Sequence, residues 1–473
     1  MSAPLWTWPE VAAALKGAPV GDMPEGFCGV SFDSREITGG ELFFAIRGVR
    51  MDGHAFAAGA LRAGAGAAVV SSPDEEMTGA GPVIVVPDTL QALQALGRAG
   101  RARVKGSIIG VTGSVGKTTT KDMLALAFSD IGRTHAARAS FNNHWGVPLT
   151  LARMPRETRF GIIEMGMNAP GEIAALTAMA RPHVAVVTQV AESHIGAFGD
   201  LAAIARAKAE IFTGLEAAGV AVLNRDMPHF GILQAAAKDA GAAEILTYGR
   251  HEEADIRLLD AASGEACVCV HARAGGQDIS YRVGMPGMHV AQNSLAVVGA
   301  AMALKADLSV VIQALARMRP PKGRGERTRL AAPGGDILLI DESYNANPAS
   351  MRAALAALAE SEPGRGGRRI AVLGDMLELG EMGAELHAAL ADELEAARVD
   401  VLYVSGPLMA HLWEAAPAHL RGARVAQAAE LPKILRGDLR AGDVVMVKGS
   451  LGSKMGPVAQ ALREMFEPVT DEA

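Results

Sequence analysis

Lys117 and Thr118 follow Gly116 in GVTGSVGKTTTKDML, residues 110–124, directly after an apolar run. A lysine placed behind a glycine-rich turn can reach the outer phosphates of a nucleotide, and the hydroxyl after it can ligate Mg²⁺. The backbone N–H groups of Gly113, Ser114, Val115, Gly116 and Thr119 would face the same phosphates, at the positive end of a helix dipole. The strict pattern G-x-x-x-x-G-K-[ST] puts a glycine where this chain has Val111, and the glycines stand instead at Gly110, Gly113 and Gly116. The Gly-Lys-Thr step nevertheless sits between a strand pattern and a helix pattern, where the phosphate chemistry requires it. A variant phosphate-binding loop is therefore expected.

A nucleotide triphosphate brings Mg²⁺, which prefers oxygen ligands and waters. Glu164 ends the apolar run FGIIE, and the carboxyl ends of parallel strands are where such sheets bind ligands. Glu192, Ser193 and His194 come just after another apolar run, VAVVT, which puts them at the same expected sheet end. Imidazole is not a favoured Mg²⁺ ligand, so composition alone says little about His194. Lys208, in AIARAKAEIF, reads from its residues as a surface lysine within a helical pattern.

These side chains need a scaffold. Strands are expected at 107–112, 160–164, 183–187, 220–223 and 244–248, with helices at 117–129 and 200–217 among them. Such alternation argues for a parallel sheet covered by helices. Residues up to about 105 mix short strands with alanine-rich helices. The stretch 317–330, RMRPPKGRGERTRL, is rich in Pro, Gly and Arg and reads as a connection outside any core. A second alternating series follows in DILLIDE, RRIAVLGD, VDVLYVSG and GDVVMVKG. The fold class is thus α/β in three domains, at 1–105, 106–317 and 318–473, in line with a length of 473 residues.

A net charge of −7 gives no global attraction for nucleic acid or anionic membrane. No apolar run reaches the roughly 18 residues of a membrane span. The first residues lack a basic segment and a long apolar core, so neither a signal peptide nor a place outside the cytoplasm is expected. Cys267 and Cys269 share a face of an alternating segment without a second pair to complete a zinc site, and Cys28 is alone.

GVTGSVGKT resembles the ATP loop of the Mur ligases, and the resemblance extends over nearly the whole chain. It implies an N-terminal UDP-binding α/β domain, a central parallel-sheet P-loop ATPase domain and a C-terminal Rossmann-like domain. It further implies ATP with Mg²⁺, as two ions, the second carried by His194. Lys208 matches the family lysine that is carbamylated, which turns a cation into an anion able to sit beside metal ions. In GMHVAQNS, Asn293 matches an asparagine near the adenine and His289 belongs to the same signature, although the family's H-N-V-x-N is here His-Val-Ala-Gln-Asn. Arg327 resembles an arginine brought to the ATP phosphates on domain closure, with Arg324 beside it. In DESYNANPASM, Asp341, Tyr344 and Asn345 match residues that contact the ribose and base. The N-terminal FDSREITGG…MDGHAF makes Ser34, Arg35 and His54 the candidates for the UDP-sugar, with Asp33 bracing Arg35. The S-R-S-x-x-M ending of the family is here Ser-Leu-Gly-Ser-Lys-Met, which leaves Lys454 as a replacement for the basic contact.

Within the family, DESYNANPASM and VLGDMLELG look like the last ligase of the series, which joins D-alanyl-D-alanine to UDP-N-acetylmuramoyl-tripeptide through an acyl phosphate. The implied partners are those two substrates, with no nucleic acid and no membrane insertion, and the implied state is a monomer. The preceding ligase, which adds the third residue, would show D-Y-A-H-x-P and D-N-P-R, and neither is here. A folylpolyglutamate-synthase-like ligase shares the ATPase core but should lack the D-S-R…D-G-H domain.

Overall fold

The computed structural model describes residues 3–48, 51–138, 140–193 and 195–469. The N-terminal part holds a five-stranded sheet in the order Ala18–Val20, Val83–Val85, Ala67–Val70, Glu41–Phe44, Gly29–Ser31. The first pair is antiparallel and the others parallel.

The central sheet has nine strands. Seven run parallel, in the order Thr134–Ala136, Phe160–Glu164, Ser107–Thr112, Val184–Val187, Val220–Asn224, Glu244–Gly249, Ile256–Ser263. The strands at its centre are buried apart from the half-buried Ser107, which is why they read as near-continuous apolar runs. Two antiparallel strands, Val268–Ala274 and Gln277–Val283, extend the sheet. In the first of them buried and exposed residues alternate, and Cys269 lies on the exposed side. All three cysteines are free thiols.

Register decides where the site forms. Glu164 pairs with Val111, and Val187 pairs with Thr112. The phosphate loop, Glu164 and the segment after Val187 therefore leave the sheet at one level. The helix Lys117–Ser129 starts from Gly116 at φ +84. The helix Leu201–Ala209 is capped by Asp200, whose carboxylate accepts from the Ala203 N–H. It is shorter than the 200–217 expected. Glu210 instead accepts from the N–H groups of Gly171 and Ala174, and the chain tightens into the turn Glu210–Gly214.

The C-terminal sheet has six strands, ordered Glu326–Ala332, Gly335–Glu342, Val444–Lys448, Arg369–Gly374, Val401–Ser405, Arg421–Val425. Its first pair is antiparallel and the rest parallel. The expectation that 317–330 forms only a connection needs correction. Glu326–Ala332 is an edge strand, and Leu330 is buried in the core beneath it. An edge strand pairs on one side only, so it tolerates the arginines that made it look like a linker.

The domains pack tightly. One apolar cluster runs from Ile195 and Ile204 of the central part to Met376 and Leu379 of the C-terminal part. The helix Thr89–Arg103 lies against Gly146–Ala152, and a Cβ on Gly100 would sit 2.2 Å from the Leu151 carbonyl oxygen. No helix among the described residues is long and apolar enough to cross a membrane.

Candidate active site

The phosphate loop is stapled to the segment after the Val184–Val187 strand. The Ser114 N–H donates to Gln189 O at 2.6 Å, and the Ser114 hydroxyl bridges the Ala191 carbonyl and N–H at 2.9 and 3.0 Å. Both loop glycines are required. A Cβ on Gly113, at φ +152, would fall 1.9 Å from Thr188 Oγ1, and one on Gly116 would fall 2.6 Å from Asn293 Oδ1. Asn293 thus packs directly on the loop.

Lys117 Nζ donates to Gly113 O at 2.6 Å. Burial holds its pKa below the ordinary lysine value, while the Glu164 charge opposes that shift. Thr118 Oγ1 lies 3.1 and 3.0 Å from the two Glu164 carboxylate oxygens and 3.2 Å from Ser140 Oγ. Asn142 Nδ2 donates to Glu164 Oε1 at 2.7 Å. Glu164 is only 3% exposed, and its buried carboxylate is compensated by two polar side chains, Thr118 and Asn142. The donors facing the loop are hydroxyl, carboxylate and amide oxygens, a set that fits Mg²⁺. No cluster of three or more His, Cys, Asp or Glu forms a metal cage among the described residues. A cation held by one carboxylate, one hydroxyl, phosphates and waters needs none.

Lys208 is not the surface lysine its local sequence suggests: it lies on the inward face of its helix, is 2% exposed and lines the same cleft. Burial, then the Lys117 charge, drives its pKa well below the usual lysine value. Two lysines thus share this part of the cleft with a single buried glutamate.

The opposite wall belongs to the C-terminal part, with Tyr344, Asn345 and Lys448. Arg324 stacks 4.0 Å above the Tyr344 ring, and its Nη2 donates to Ser140 Oγ at 3.3 Å. Lys448 Nζ is 3.0 Å from Asn345 O and 3.4 Å from Glu342 Oε2.

Of the residues singled out from sequence, Ser114, Val115, Gly116, Lys117, Thr118, Thr119, Glu164, Lys208, Tyr344 and Asn345 line this cleft. His289 lines it too. His194 lies outside the described residues. Arg327 stands on the Glu326–Ala332 strand, away from the cleft lining, where Arg324 takes the position next to the phosphate loop. Asp341 is turned inward. Its Oδ1 accepts from the Ser343 N–H and hydroxyl, and its Oδ2 is 3.0 Å from Arg463 Nη1.

The N-terminal candidates are likewise engaged. Arg35 forms a forked pair with Asp33, at 2.9 and 2.6 Å, which holds the Asp33 carboxyl below its ordinary range. Ser34 opens the short turn that carries Arg35. His54 Nδ1 is 2.6 Å from Asp52 Oδ1, and its Nε2 accepts from the Ser71 N–H at 2.9 Å. Both ring nitrogens are therefore occupied by the protein. Lys454 is the left-handed residue, φ +59, before the last helix and does not line the cleft.

Sequence reading passed over Ser140, Asn142 and Lys448. The signal was present: SFNN follows a strand of the same sheet, and Lys448 ends an apolar run as Glu164 does.

Comparison with known proteins accounts for most of the chain. The family model for the Mur ligase middle domain matches residues 111–301, that for the Mur ligase, glutamate ligase domain matches 323–451, and that for the Mur ligase family, catalytic domain matches 27–101. The UDP-N-acetylmuramoyl-tripeptide–D-alanyl-D-alanine ligase of Bacillus subtilis is 34% identical over 443 residues, covering 92% of this chain and 93% of that protein. A crystal structure of MurF from Acinetobacter baumannii superposes with a TM-score of 0.84 at 29% identity, over 98% of this chain and 100% of that one. MurF ligase from Thermotoga maritima, solved in complex with ADP, gives 0.76 at 26% identity over 92% and 97%. With three family models matched along the chain and a 34%-identical relative covering 92% of it, this chain belongs to the Mur ligase family.

Proposed function

We propose that the chain joins D-alanyl-D-alanine to UDP-N-acetylmuramoyl-tripeptide with hydrolysis of ATP to ADP and phosphate, acting as a monomer in the cytoplasm. The observation that carries this is the cleft itself. A phosphate loop, a buried carboxylate and an unusually buried lysine on one domain face basic and polar groups of a second domain. The curated relatives that bear this activity in their names match more than nine-tenths of the chain. We keep 1–105, 106–317 and 318–473 as the working domain limits.

In the first step an oxygen of the tripeptide's terminal carboxylate attacks the γ-phosphorus, the bond to the ADP oxygen breaks, and an acyl phosphate forms. In the second the dipeptide amine attacks the acyl carbon. The amine proton is lost, the carbon–oxygen bond to phosphate breaks, and the amide remains. The obstacle is the approach of two anions. The loop N–H groups from Gly113 to Thr119 cradle the phosphates, Lys117 exchanges Gly113 O for a phosphate oxygen, and Arg324 approaches from the other domain. Arg327 stays behind this first line and would reach the phosphates only if the domains shifted. Thr118 and Glu164, steadied by Ser140 and Asn142, would hold Mg²⁺, which when bound neutralises phosphate charge. A second ion would fall to His194 and a carbamate on Lys208.

That carbamate has a clear chemical origin. Burial lowers the Lys208 pKa and so favours the neutral amine, the form that attacks CO₂; a nitrogen–carbon bond forms and the proton leaves to solvent. The product is an anion where an ammonium would repel both Lys117 and a metal. Asn293, Tyr344 and Asn345 are the candidates for the adenosine, with Asp341 shaping the strand end behind them. Ser34 and Arg35 are the candidates for the UDP-sugar, and His54 holds their neighbouring turn.

A panel of acceptors tests the assignment. Phosphate release should require ATP, the UDP-tripeptide and D-alanyl-D-alanine together. Turnover with free lysine or diaminopimelate on a UDP-dipeptide, and none with D-alanyl-D-alanine, would instead identify the preceding ligase.

A further inference from the structure

We infer that Leu377 and Leu451 form an apolar lip on the cleft that seats the methyl groups of the dipeptide acceptor and sets its specificity. The inference rests on the ligase reading above. Leu451 is 69% exposed and Leu377 39%, yet both line a cleft whose other walls carry Lys117, Glu164, Lys208 and Arg324. Large apolar side chains scattered singly on a surface need no explanation, but two that line one charged cleft from adjoining loops do.

Their exposure is built in. Leu377 belongs to the loop after the Arg369–Gly374 strand, and Leu451 to the loop after the Val444–Lys448 strand. These strands are neighbours in the sheet. Ser450, 4% exposed, pins the two loops together: its N–H donates to Asp375 O at 3.0 Å, and its hydroxyl accepts from the Leu377 N–H at 2.9 Å. The same hydroxyl reaches Ala346 O at 3.2 Å. Gly452 closes the seam, since a Cβ there would lie 2.7 Å from Leu377 Cδ1. Glu378, next to Leu377, sits at φ +66, a backbone conformation that persists only where the surroundings impose it. The leucines are therefore held in the cleft mouth by buried polar contacts, not left there by slack.

The occupant follows from the reaction. The nucleotide and the tripeptide carboxylate need the charged end of the cleft. The remaining substrate carries two methyl side chains and no charged one. Methyls placed on the leucines remove apolar surface from water on both partners, which the charged end of a side chain does not.

Steady-state kinetics on the whole protein tests this. For Leu451→Ala we expect KM for D-alanyl-D-alanine to rise roughly tenfold, the scale of a lost methyl contact in an apolar pocket. KM for ATP and for the UDP-tripeptide, and kcat, should stay near the parent values, and Leu451→Met should restore most of the affinity. The double variant Leu377→Ala/Leu451→Ala should raise the dipeptide KM further. An unchanged dipeptide KM in the double variant overturns the inference, as does a parallel loss in all three substrates, which would mark a merely structural role. A parent protein that makes no pentapeptide overturns the ligase reading and the lip with it; an active parent with an indifferent double variant overturns the lip alone.

Discussion

Lys208 is the residue whose state matters most to the chemistry. A buried lysine beside a second lysine resists protonation, since burial and the Lys117 charge both favour the neutral amine. We expect intact-protein mass spectrometry in bicarbonate buffer to show a species one CO₂ heavier, and the Lys208→Ala protein to lack it. That variant should lose nearly all activity and regain part of it with added short-chain carboxylates. A lower-stakes residue is Asp52, whose carboxyl is held down to about 2, first by the His54 N–H and then by the His54 ring and Arg47. A carboxyl depressed in the folded state adds stability above its ordinary value of 3.8, and that stability disappears as pH falls toward 2. Asp52→Asn should therefore destabilise the protein at neutral pH and flatten its unfolding profile over that acid window. Lys117, Thr118 and Glu164, where motif and strand end coincide in the sequence, come together in one cleft. Asp341 and His54 are engaged by Arg463 and Ser71, partners from distant parts of the chain or another strand end that the local sequence does not reveal.

At the scale of elements, the phosphate loop depends on glycine for two separate reasons. Gly116 lies in the left-handed region and touches Asn293. We expect Gly116→Ala to weaken ADP binding at least tenfold, measured by isothermal titration, with little change in circular dichroism. The edge strand Glu326–Ala332 is anchored by Arg463, which pairs with Glu326 at 2.7 Å and Asp341 at 3.0 Å. Removing one partner of such a buried pair costs about 3 kcal/mol, so Arg463→Met should lower the urea midpoint markedly. The strands 107–112 and 160–164 and the helix 117–129 were legible to the residue, since buried parallel strands are continuous apolar runs and the glycine before Lys117 starts the helix. The strand at 326–332 was not, because arginine and glycine density says nothing about a partner strand nine residues on.

At the scale of the molecule, the site exists only where two domains meet. Glu192 of the central part pairs with Arg352 of the C-terminal part at 3.1 Å, and a Cβ on Gly196 would strike Gly380 N at 2.6 Å. Segments after strands of two separate sheets thus converge, and the sequence shows each alternating series without showing how they face each other. That facing arrangement puts Arg324, rather than Arg327, beside the phosphate loop. Lys117 and its neighbours are proposed to let the outer phosphoryl group pass to a peptide carboxylate. Incubation of the parent and of Lys117→Ala with ATP, Mg²⁺, UDP-N-acetylmuramoyl-tripeptide and D-alanyl-D-alanine, followed by product mass, tests it directly. The pentapeptide mass is expected with the parent and almost none with the variant, whose fold should persist by circular dichroism; pentapeptide made by the variant at near the parent rate would refute the role of Lys117.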